Sequence, residues 1–312
     1  MEVTGSEIAN WLQKLQDDIC ISLQNTDGKS IFGEDNWQRP AGGGGRSRVI
    51  QNGAVFEKGG VMFSAVKGEA PDFLLKENAH SFAGLKTDRP HFFATGISIV
   101  IHPQSPMVPI IHMNIRYFEL RNGNDELLKR WLGGGIDLTP HYIDKNDARF
   151  FHRELKSLCD AHHPAYYGKF KKWADDYFYI SHRGETRGIG GIFFDKLAET
   201  PDRSFEENYR FWQDVGKNFV PLYSELVERS KTKPFNDNHR QWQLLRRGRY
   251  VEFNLIYDKG TRFGLESNGR IESILVSLPR TAGWEYNFIP GENSEEAKTL
   301  QLLKKDIDWL EA

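Results

Sequence analysis

Two segments of the chain alternate apolar side chains with polar ones of the types that active sites use. In an extended strand successive side chains point to opposite faces, so every second residue of Gly96–His102 and of Ile110–Phe118 shares one face. The polar members of that face are Ser98, His102, His112, Asn114 and Arg116. If the two segments pair as a hairpin, all five lie on one surface. The presence of His, Asn and Arg favours a site there, although a solvent-facing sheet without a function explains the same alternation.

A third segment, Tyr250–Asp258, repeats this alternation. Its odd-numbered residues are apolar, whereas Glu252, Asn254 and Asp258 fall on the other side. We predict that Asp258 ends a strand at the mouth of a cleft, just before a Lys259-Gly260 turn. The alternative is an aspartate that only caps its own backbone.

Metal and nucleotide motifs are missing from the sequence. None of the ten histidines forms His-x-x-x-His, His-Glu-x-x-His or a Cys/His set, so a metal would have to be held by histidines that are distant in sequence. Gly42–Gly45 is not followed by the Lys-Ser/Thr of a P-loop, and Gly133–Gly135 and Gly188–Gly191 lead into strand-like runs. Nucleotide binding is therefore not expected.

Arginines suggest a ligand with carboxylates. Those beside glycines, aromatic residues or polar strand faces are Arg116, Arg153, Arg183, Arg187, Arg246, Arg247, Arg249, Arg262 and Arg270. The guanidinium fork binds a carboxylate through two hydrogen bonds. In a chain with 13% aromatic residues, this set favours a flat ligand with several carboxylates. Ordinary surface ion pairs are the alternative for each arginine.

Short connections between the strand-like segments predict antiparallel neighbours. The clearest strands are Val61–Val66, Gly96–His102, Ile110–Phe118, Tyr250–Asp258 and Ile271–Ser277. Pro103–Pro109 and the dipeptides Lys259-Gly260 and Asn268-Gly269 form turns between strands. Such connections are too short for a helical crossover. We predict an α+β fold, with a broad antiparallel β-sheet flanked by α-helices on both faces, in a single domain that spans residues 1–312.

Helical spacing and capping residues predict the helices that surround the sheet. The first helix is predicted to begin after Thr4, and two more are predicted near Asp147–Ala161 and Tyr167–Ile180. A fourth begins after Ser204 and is kinked near Pro221, and the last begins after Ser294. The glycine-rich stretch Ala41–Arg48 is predicted to be a flexible loop.

Charge and composition exclude several classes of protein. The 41 basic and 43 acidic residues nearly cancel, so no overall field favours nucleic acid or an anionic membrane. No apolar run reaches the roughly 18 residues of a spanning helix, and no integral membrane segment is expected. Cys20 and Cys159 lie in helical patterns typical of reduced, partly buried thiols. With neither signal-peptide nor transit-peptide composition at the N-terminus, we predict a cytoplasmic location.

Six motifs in order along nearly the whole chain resemble the oxygen-dependent coproporphyrinogen III oxidase family. They are Thr95–Ser98 with Ile101–Pro103, His112–Phe118, Trp131–Pro140, His182–Gly191, Arg246–Asn254 and Ile271–Leu275. The resemblance implies a homodimer, with a broad antiparallel sheet between helical layers in each subunit and a cleft that closes over the substrate. Residues Val251–Glu285 would contribute to the dimer interface.

The resemblance also implies the reaction. The propionates on rings A and B of coproporphyrinogen III become vinyls, which yields protoporphyrinogen IX, CO2 and H2O2 in haem biosynthesis. O2 is the co-substrate, and no cofactor is obligatory, because the electron-rich pyrrole itself reduces oxygen. Some bacterial members bind a divalent metal through histidines, which here would be His102, His112, His152 and His182.

Residue roles follow from the same motifs. The catalytic residues would be His112 as the proton donor, Asp258 as the acceptor of pyrrole N–H groups, and Arg116. The substrate-binding residues would be Ser98, Asn114, Ile115, Arg116, Lys259, Asn268, Gly269 and Arg270. A macrocycle with four carboxylates suits a surface with arginines at its rim and apolar side chains beneath.

Two departures from the family pattern affect this assignment. Lys259 stands where the family commonly has arginine, and it keeps the charge but loses the bidentate fork. The loop Glu266–Arg270 varies in length across the family, so the alignment at Asn268 is uncertain by one residue. Two rival functions are a metal-dependent oxygenase that uses the dispersed histidines and a tetrapyrrole carrier without catalysis.

Overall fold

The computed structural model describes residues 3–70, 90–266 and 269–312. The strands in these ranges are β1 (Gly33–Gln38), β2 (Gly43–Gln51), β3 (Phe56–Glu69), β4 (His91–Pro103), β5 (Ile110–Arg121), β6 (Leu127–Thr139), β7 (Tyr179–Ile180), β8 (Glu185–Thr186) and β9 (Gly190–Leu197). The helices are α1 (Gly5–Asp27), α2 (Lys145–Asp160), α3 (Tyr166–Tyr177), α4 (Phe205–Ser230), α5 (Asp237–Ile256), α6 (Lys259–Glu266), α7 (Ile271–Leu275) and α8 (Glu295–Leu302).

Seven of these strands form one antiparallel sheet in the order β1-β2-β3-β4-β5-β6-β9. Strands β1 to β6 lie side by side in chain order, and β9 joins β6 at the far edge after α2 and α3. At the centre of the sheet Ser98 is opposite Asn114, and Val100 is opposite His112. Strands β7 and β8 form a separate pair. The broad antiparallel sheet predicted from the sequence is confirmed.

One face of the sheet, called the core face, packs against α1 and α4. Ile115 of β5 is fully buried there. Trp212 of α4 donates its indole N–H to the carbonyl oxygen of Gly133 at 3.2 Å. The core cluster extends from Ile8 of α1 to Trp309, which lies in a turn near the C-terminus, so segments from both ends of the chain contribute to the apolar interior.

The opposite face, called the polar face, carries Ser98, His112, Asn114 and Arg116. Helix α5 covers one end of it, where Tyr250 is buried against Val100 and Ile110. The segment around α7 lies against β2 and β3, since the Ser273 hydroxyl is 2.9 Å from that of Ser47 on β2, and Nζ of Lys58 on β3 donates to the carbonyl oxygen of Leu278 at 2.8 Å. Helices therefore flank both faces, as predicted, and the polar face is only partly covered.

The predicted strand Tyr250–Asp258 is wrong, because most of these residues belong to helix α5. The buried residues on α5 include Arg246, Arg247, Tyr250, Phe253 and Asn254, which repeat at helical spacing. Leu255, which the strand pattern placed inside, is 46% exposed. Arg246 and Arg247 can be buried because each meets a glutamate at 2.7 Å. A pattern that counts only apolar residues misses a buried face that includes paired arginines.

Three other local predictions are wrong. Ile271–Leu275 forms helix α7 and not a strand, and its apolar residues three and four apart suit a helix. The expected Lys259-Gly260 turn is the start of α6. Within the predicted loop Ala41–Arg48, β2 begins at Gly43. A Cβ on Gly43 would lie 2.2 Å from the carbonyl oxygen of Ala65, and its φ is +80°, so glycine permits a close strand pairing there.

The remaining predicted elements are confirmed with shifted ends. Thr4, Ser204 and Ser294 each accept a backbone hydrogen bond in the first turn of the helix that they cap. Cys20 and Cys159 are buried free thiols, and burial raises the pKa of both to about 12. No helix in the described ranges has the length and apolar character that crossing a membrane requires.

Candidate active site

A strip of polar side chains crosses the middle of the polar face. Ser98 on β4 pairs with Asn114 on β5, and Gly96 pairs with Arg116. Ser98 is exposed, and the other two side chains are half-buried. The shared surface predicted for these residues is confirmed. His102, predicted on the same surface, is fully buried, so it cannot be reached by a ligand on the uncovered part of the polar face, which is called the cleft below.

Arg116 is held over Gly133 by two acceptors. Its Nη1 donates to Oδ1 of Asn114 at 3.0 Å, and its Nη2 is 3.2 Å from Oδ1 of Asp195 on β9. A Cβ on Gly133 would lie 2.9 Å from Nε of Arg116, so a side chain there would require the guanidinium to shift. The Arg116 side chain is 42% exposed, and it is accessible to a carboxylate in the cleft.

His112 is oriented by a buried carboxylate. Its Nδ1 is 2.9 Å from Oδ1 of Asp137, the residue directly opposite on β6. Burial alone would raise the pKa of Asp137, but Arg187 and His112 lower it overall. The carboxylate is thus ionised and only accepts, so Nδ1 of His112 carries the hydrogen. The other ring nitrogen, Nε2, is the one that can exchange a proton with a ligand.

Arg187 is the third residue of the group that contains His112 and Asp137. It is paired with Oδ2 of Asp137 and is buried among three aromatic rings. The distances from its guanidinium carbon are 4.3 Å to Phe178, 4.9 Å to Tyr250 and 4.7 Å to Phe253. Cation–π contacts and the ion pair together offset the cost of burying its charge. Packing of α5 on the sheet therefore fixes the orientation of His112.

Sequence reasoning did not assign a role to Asp137. It was recognised only as part of the Trp131–Pro140 motif, and Arg187 only as one of many arginines and as part of the His182–Gly191 motif. The available signal was a single charged residue in the otherwise uncharged run Trp131–Thr139 of β6, because such a residue is rarely buried without a partner.

Asp258 lies at the N-terminus of α6 and not at the end of a strand, which corrects the prediction. Its Oδ2 accepts the backbone N–H of Thr261 at 2.7 Å, and its Oδ1 accepts the hydroxyl of Tyr177 at 2.9 Å. Burial and this carboxylate raise the pKa of Tyr177. The capping role considered as the alternative is therefore present. A carboxylate has about four acceptor positions, so Asp258 retains capacity for a ligand.

Other predicted substrate contacts lie around the start of α6 and the start of α7. Lys259 is exposed at the first turn of α6. Gly269 donates its N–H to the carbonyl oxygen of Gly264 at 2.8 Å. Arg270 forms an ion pair with Asp35 of β1. Asn268 lies outside the described residues.

The side chain of Ile115 lies on the core face, so its predicted substrate contact stays a prediction for the backbone alone. The residue is between Asn114 and Arg116, so strand alternation directs its side chain to the opposite face of the sheet. It is fully buried in the core. A Cβ on Gly216 of α4 would lie 2.8 Å from its Cδ1. The side chain of Ile115 cannot reach a ligand on the polar face.

The four histidines considered as metal ligands do not assemble. His102 binds the carbonyl oxygen of Ser277 at 2.8 Å through Nε2, and both ring nitrogens of His152 and of His182 are hydrogen-bonded. Burial lowers the pKa of His102 and of His152 to about 3. Within the described part of the chain, no three His, Cys, Asp or Glu side chains gather as metal ligands. The donors present do not fit a metal centre.

Comparison with known proteins identifies the family. The chain matches the family model of coproporphyrinogen III oxidase over residues 7–309. It is 50% identical over 300 residues to the mitochondrial oxygen-dependent coproporphyrinogen-III oxidase of Homo sapiens, which covers 95% of this chain and 65% of that protein. It is 48% identical to the chloroplastic oxygen-dependent coproporphyrinogen-III oxidase of Glycine max and to the oxygen-dependent coproporphyrinogen-III oxidase of Drosophila melanogaster. Each alignment covers 96% of this chain, together with 78% of the Glycine max protein and 76% of the Drosophila melanogaster protein. The resemblance seen in the motifs is confirmed, and the chain belongs to the coproporphyrinogen III oxidase family.

Proposed function

We propose that this protein catalyses the oxygen-dependent oxidative decarboxylation of coproporphyrinogen III in haem biosynthesis. The observation that carries the proposal is the 48–50% identity to oxygen-dependent coproporphyrinogen-III oxidases over 95–96% of the chain. The polar face adds a second argument, because it combines a proton-transfer group with arginines that suit propionates.

The reaction balances separately for each propionate. The group –CH2–CH2–COOH and O2 become –CH=CH2, CO2 and H2O2. The bond to the carboxyl carbon breaks, a hydrogen leaves the carbon next to the pyrrole, and two electrons reduce O2. Two such reactions, on rings A and B, give protoporphyrinogen IX.

His112 is the proposed proton donor. Asp137 accepts the Nδ1–H and orients the ring, so that Nε2 is the nitrogen that gives a proton to the ligand. Asp137 and Arg187 are positioning residues in this proposal, since both are buried and act through His112.

The proposed substrate site extends over the polar face from Arg116 toward Arg270. Asp35, the partner of Arg270, stands in one cross-strand row with Ser47, Met62 and Ser98. Arg116 lies on the next strand, β5, and the four spacings from β1 to β5 span about 19 Å, so the two long side chains can receive carboxylates on different sides of one macrocycle. Lys259 contributes a further positive charge, without the bidentate fork.

A homodimer is proposed on the basis of exposed apolar side chains. Within and just beyond Val251–Glu285, the exposed large hydrophobic residues are Leu255, Ile256, Leu265, Ile271, Trp284, Tyr286 and Ile289. A concentration of this kind is typical of a protein interface. The interface would consist of helices and a connecting segment, and not of the strands that the sequence predicted.

We propose O2 as the co-substrate and no obligatory organic cofactor or metal, because the electron-rich pyrrole is itself a sufficient reductant for O2. The cytoplasmic location predicted from the sequence stays a prediction. Two of the relatives carry "chloroplastic" and "mitochondrial" in their names.

The decisive experiment supplies reduced coproporphyrinogen III to the purified protein in air and without oxygen. We expect oxygen uptake, peroxide, and protoporphyrin fluorescence after oxidation of the products, in air only. Tight substrate binding without product in air would favour a tetrapyrrole carrier. Loss of activity on chelation, with recovery by one metal, would favour a metal-dependent oxygenase.

A further inference from the structure

Asp195 is a carboxylate in the cleft to which the proposed reaction assigns no role. It lies on β9, and its side chain is 30% exposed. Its Oδ1 is 3.2 Å from Nη2 of Arg116 and accepts the backbone N–H of Lys196 at 2.9 Å. The guanidinium of Arg116, which is the best placed to bind a substrate carboxylate, is thus already paired with a negative charge.

The backbone of β9 is irregular at this position. Leu132 pairs with Leu197 and Gly134 with Phe194, so Asp195 and Lys196 together face one residue of β6, as in a β-bulge. Lys196 has a φ of +52°, in the left-handed region that is costly for a residue with a side chain. Bulges re-aim side chains and are common beside active sites.

Gly133 on β6 makes room for the pair. A Cβ there would lie 2.7 Å from Oδ1 of Asp195 and 2.9 Å from Nε of Arg116. A glycine on one strand and a bulge on the next therefore bring the carboxylate and the guanidinium together. Partly exposed ion pairs contribute little to stability, so an effect on ligand binding is a better account of this arrangement than an effect on folding.

We propose that Asp195 determines the affinity of the cleft for carboxylates. It holds the guanidinium of Arg116 when the cleft is empty, and a substrate carboxylate displaces it by forming two hydrogen bonds to the fork. Displacement and the remaining repulsion between the two carboxylates weaken binding of the substrate. This inference rests on the proposed function, because it requires a ligand with propionate groups.

The test uses Asp195→Asn, which keeps the shape of the side chain and removes its charge. The dissociation constant of coproporphyrinogen III is measured without oxygen, so that no turnover occurs, by quenching of tryptophan fluorescence. We expect the variant to bind about three- to fivefold more tightly, because the substrate carboxylate no longer has to displace a charged competitor from the guanidinium, and a partly exposed ion pair is worth up to about fivefold in an equilibrium constant. Added salt should reduce the difference.

Glu199→Gln is the matched control. Glu199 is also 3.2 Å from an arginine, Arg130, but that arginine lies over the ring of Phe205 of α4, on the core-face side. Its loss changes the net charge by the same amount, and we expect an unchanged dissociation constant. Melting temperatures of both variants verify that they are folded.

A double-mutant cycle tests whether the effect passes through Arg116. In an Arg116→Ala background, Asp195→Asn should lose most of its effect on the dissociation constant. Equal or weaker binding by the folded Asp195→Asn variant would overturn the proposal, and so would an undiminished gain without Arg116. If the wild-type protein itself fails to bind the substrate, the proposed function is overturned as well.

Discussion

Asp137 lies between His112 and Arg187, and each of its oxygens faces one of them. The arginine keeps the carboxylate ionised despite its burial, and the carboxylate keeps the imidazole in one tautomer. His112 is 17% exposed, whereas Asp137 and Arg187 are nearly inaccessible. Stability is therefore expected to depend more on Asp137 and Arg187, and proton transfer more on His112.

Replacement of His112 and of Asp137 should separate these effects. We expect His112→Gln to lower kcat on the order of 100-fold or more with little change in stability, because the Asp137–Arg187 pair remains. Asp137→Asn should lower kcat too, and its free energy of unfolding should fall by about 3–5 kcal/mol, because a buried arginine loses its counter-ion. Steady-state kinetics and urea unfolding measure the two effects. Wild-type stability in Asp137→Asn would contradict this account.

Asp258 caps α6 and can also accept hydrogen bonds from a ligand. The substitution Asp258→Asn distinguishes these two roles. Asparagine caps a helix about as well as aspartate, so α6 and the fold should persist. If the charge holds pyrrole N–H groups and favours loss of a pyrrole proton, kcat should fall on the order of 100-fold. Kinetics on protein with an unchanged circular dichroism spectrum would test this. A near-normal kcat would leave Asp258 with the cap alone.

At the scale of elements, α5 is attached to its neighbours through charges. Arg246 and Arg247 are paired with glutamates, and Glu252 accepts hydrogen bonds from several sides. Its donors are His182, Arg183, Arg249 and Trp284, at 2.7–3.0 Å. These contacts connect α5 with the turn between β7 and β8 and with the segment that follows α7.

The Glu252 contacts predict a stability that depends on pH. Burial would raise the pKa of Glu252, but hydrogen bonds from Arg183, His182 and Trp284 lower it from 4.5 to about 2. A carboxylate with a lower pKa in the folded state stabilises fully above its unfolded pKa, and loses that contribution as pH falls through the folded value. We expect the melting temperature of the wild type to exceed that of Glu252→Gln at pH 6, and the difference between the two to decrease as pH falls from about 4.5 to 2. A gap that is constant over this range would disprove the assignment.

At the scale of the whole molecule, the exposed apolar residues from the end of α5 onward support the proposed dimer. Ile256 is 50% exposed at the end of α5, and Ile21 is 55% exposed on α1, outside the proposed interface. We expect Ile256→Arg to weaken dimerisation on the order of 100-fold, and Ile21→Arg to leave it unchanged. Light scattering at micromolar concentration measures the mass. A wild-type protein with the mass of one chain and full activity would rule out a functional dimer.

The sequence by itself determined the central sheet, the capped helices and the family. Alternation along β4 and β5 assigned Ser98, Asn114 and Arg116 to one face, because side-chain direction in a strand depends only on local backbone geometry. Thr4, Ser204 and Ser294 marked helix starts, because a cap is satisfied within its own first turn. The same local rule places the side chain of Ile115 on the core face.

Only the tertiary structure decided where the charges lie. Helix α5 was mistaken for a strand because its buried face includes Arg246 and Arg247, and a buried arginine depends on a carboxylate from another part of the chain. The orientation of His112 depends on Asp137, and Asp137 stays ionised because of Arg187, which is 50 residues further along. The pairing of Arg116 with Asp195 depends likewise on a bulge in β9 and on Gly133 in β6. Electrostatic contacts between residues distant in sequence produce no periodic pattern along the chain, so they cannot be predicted from it. These contacts orient the polar side chains of β4 and β5 as a candidate site.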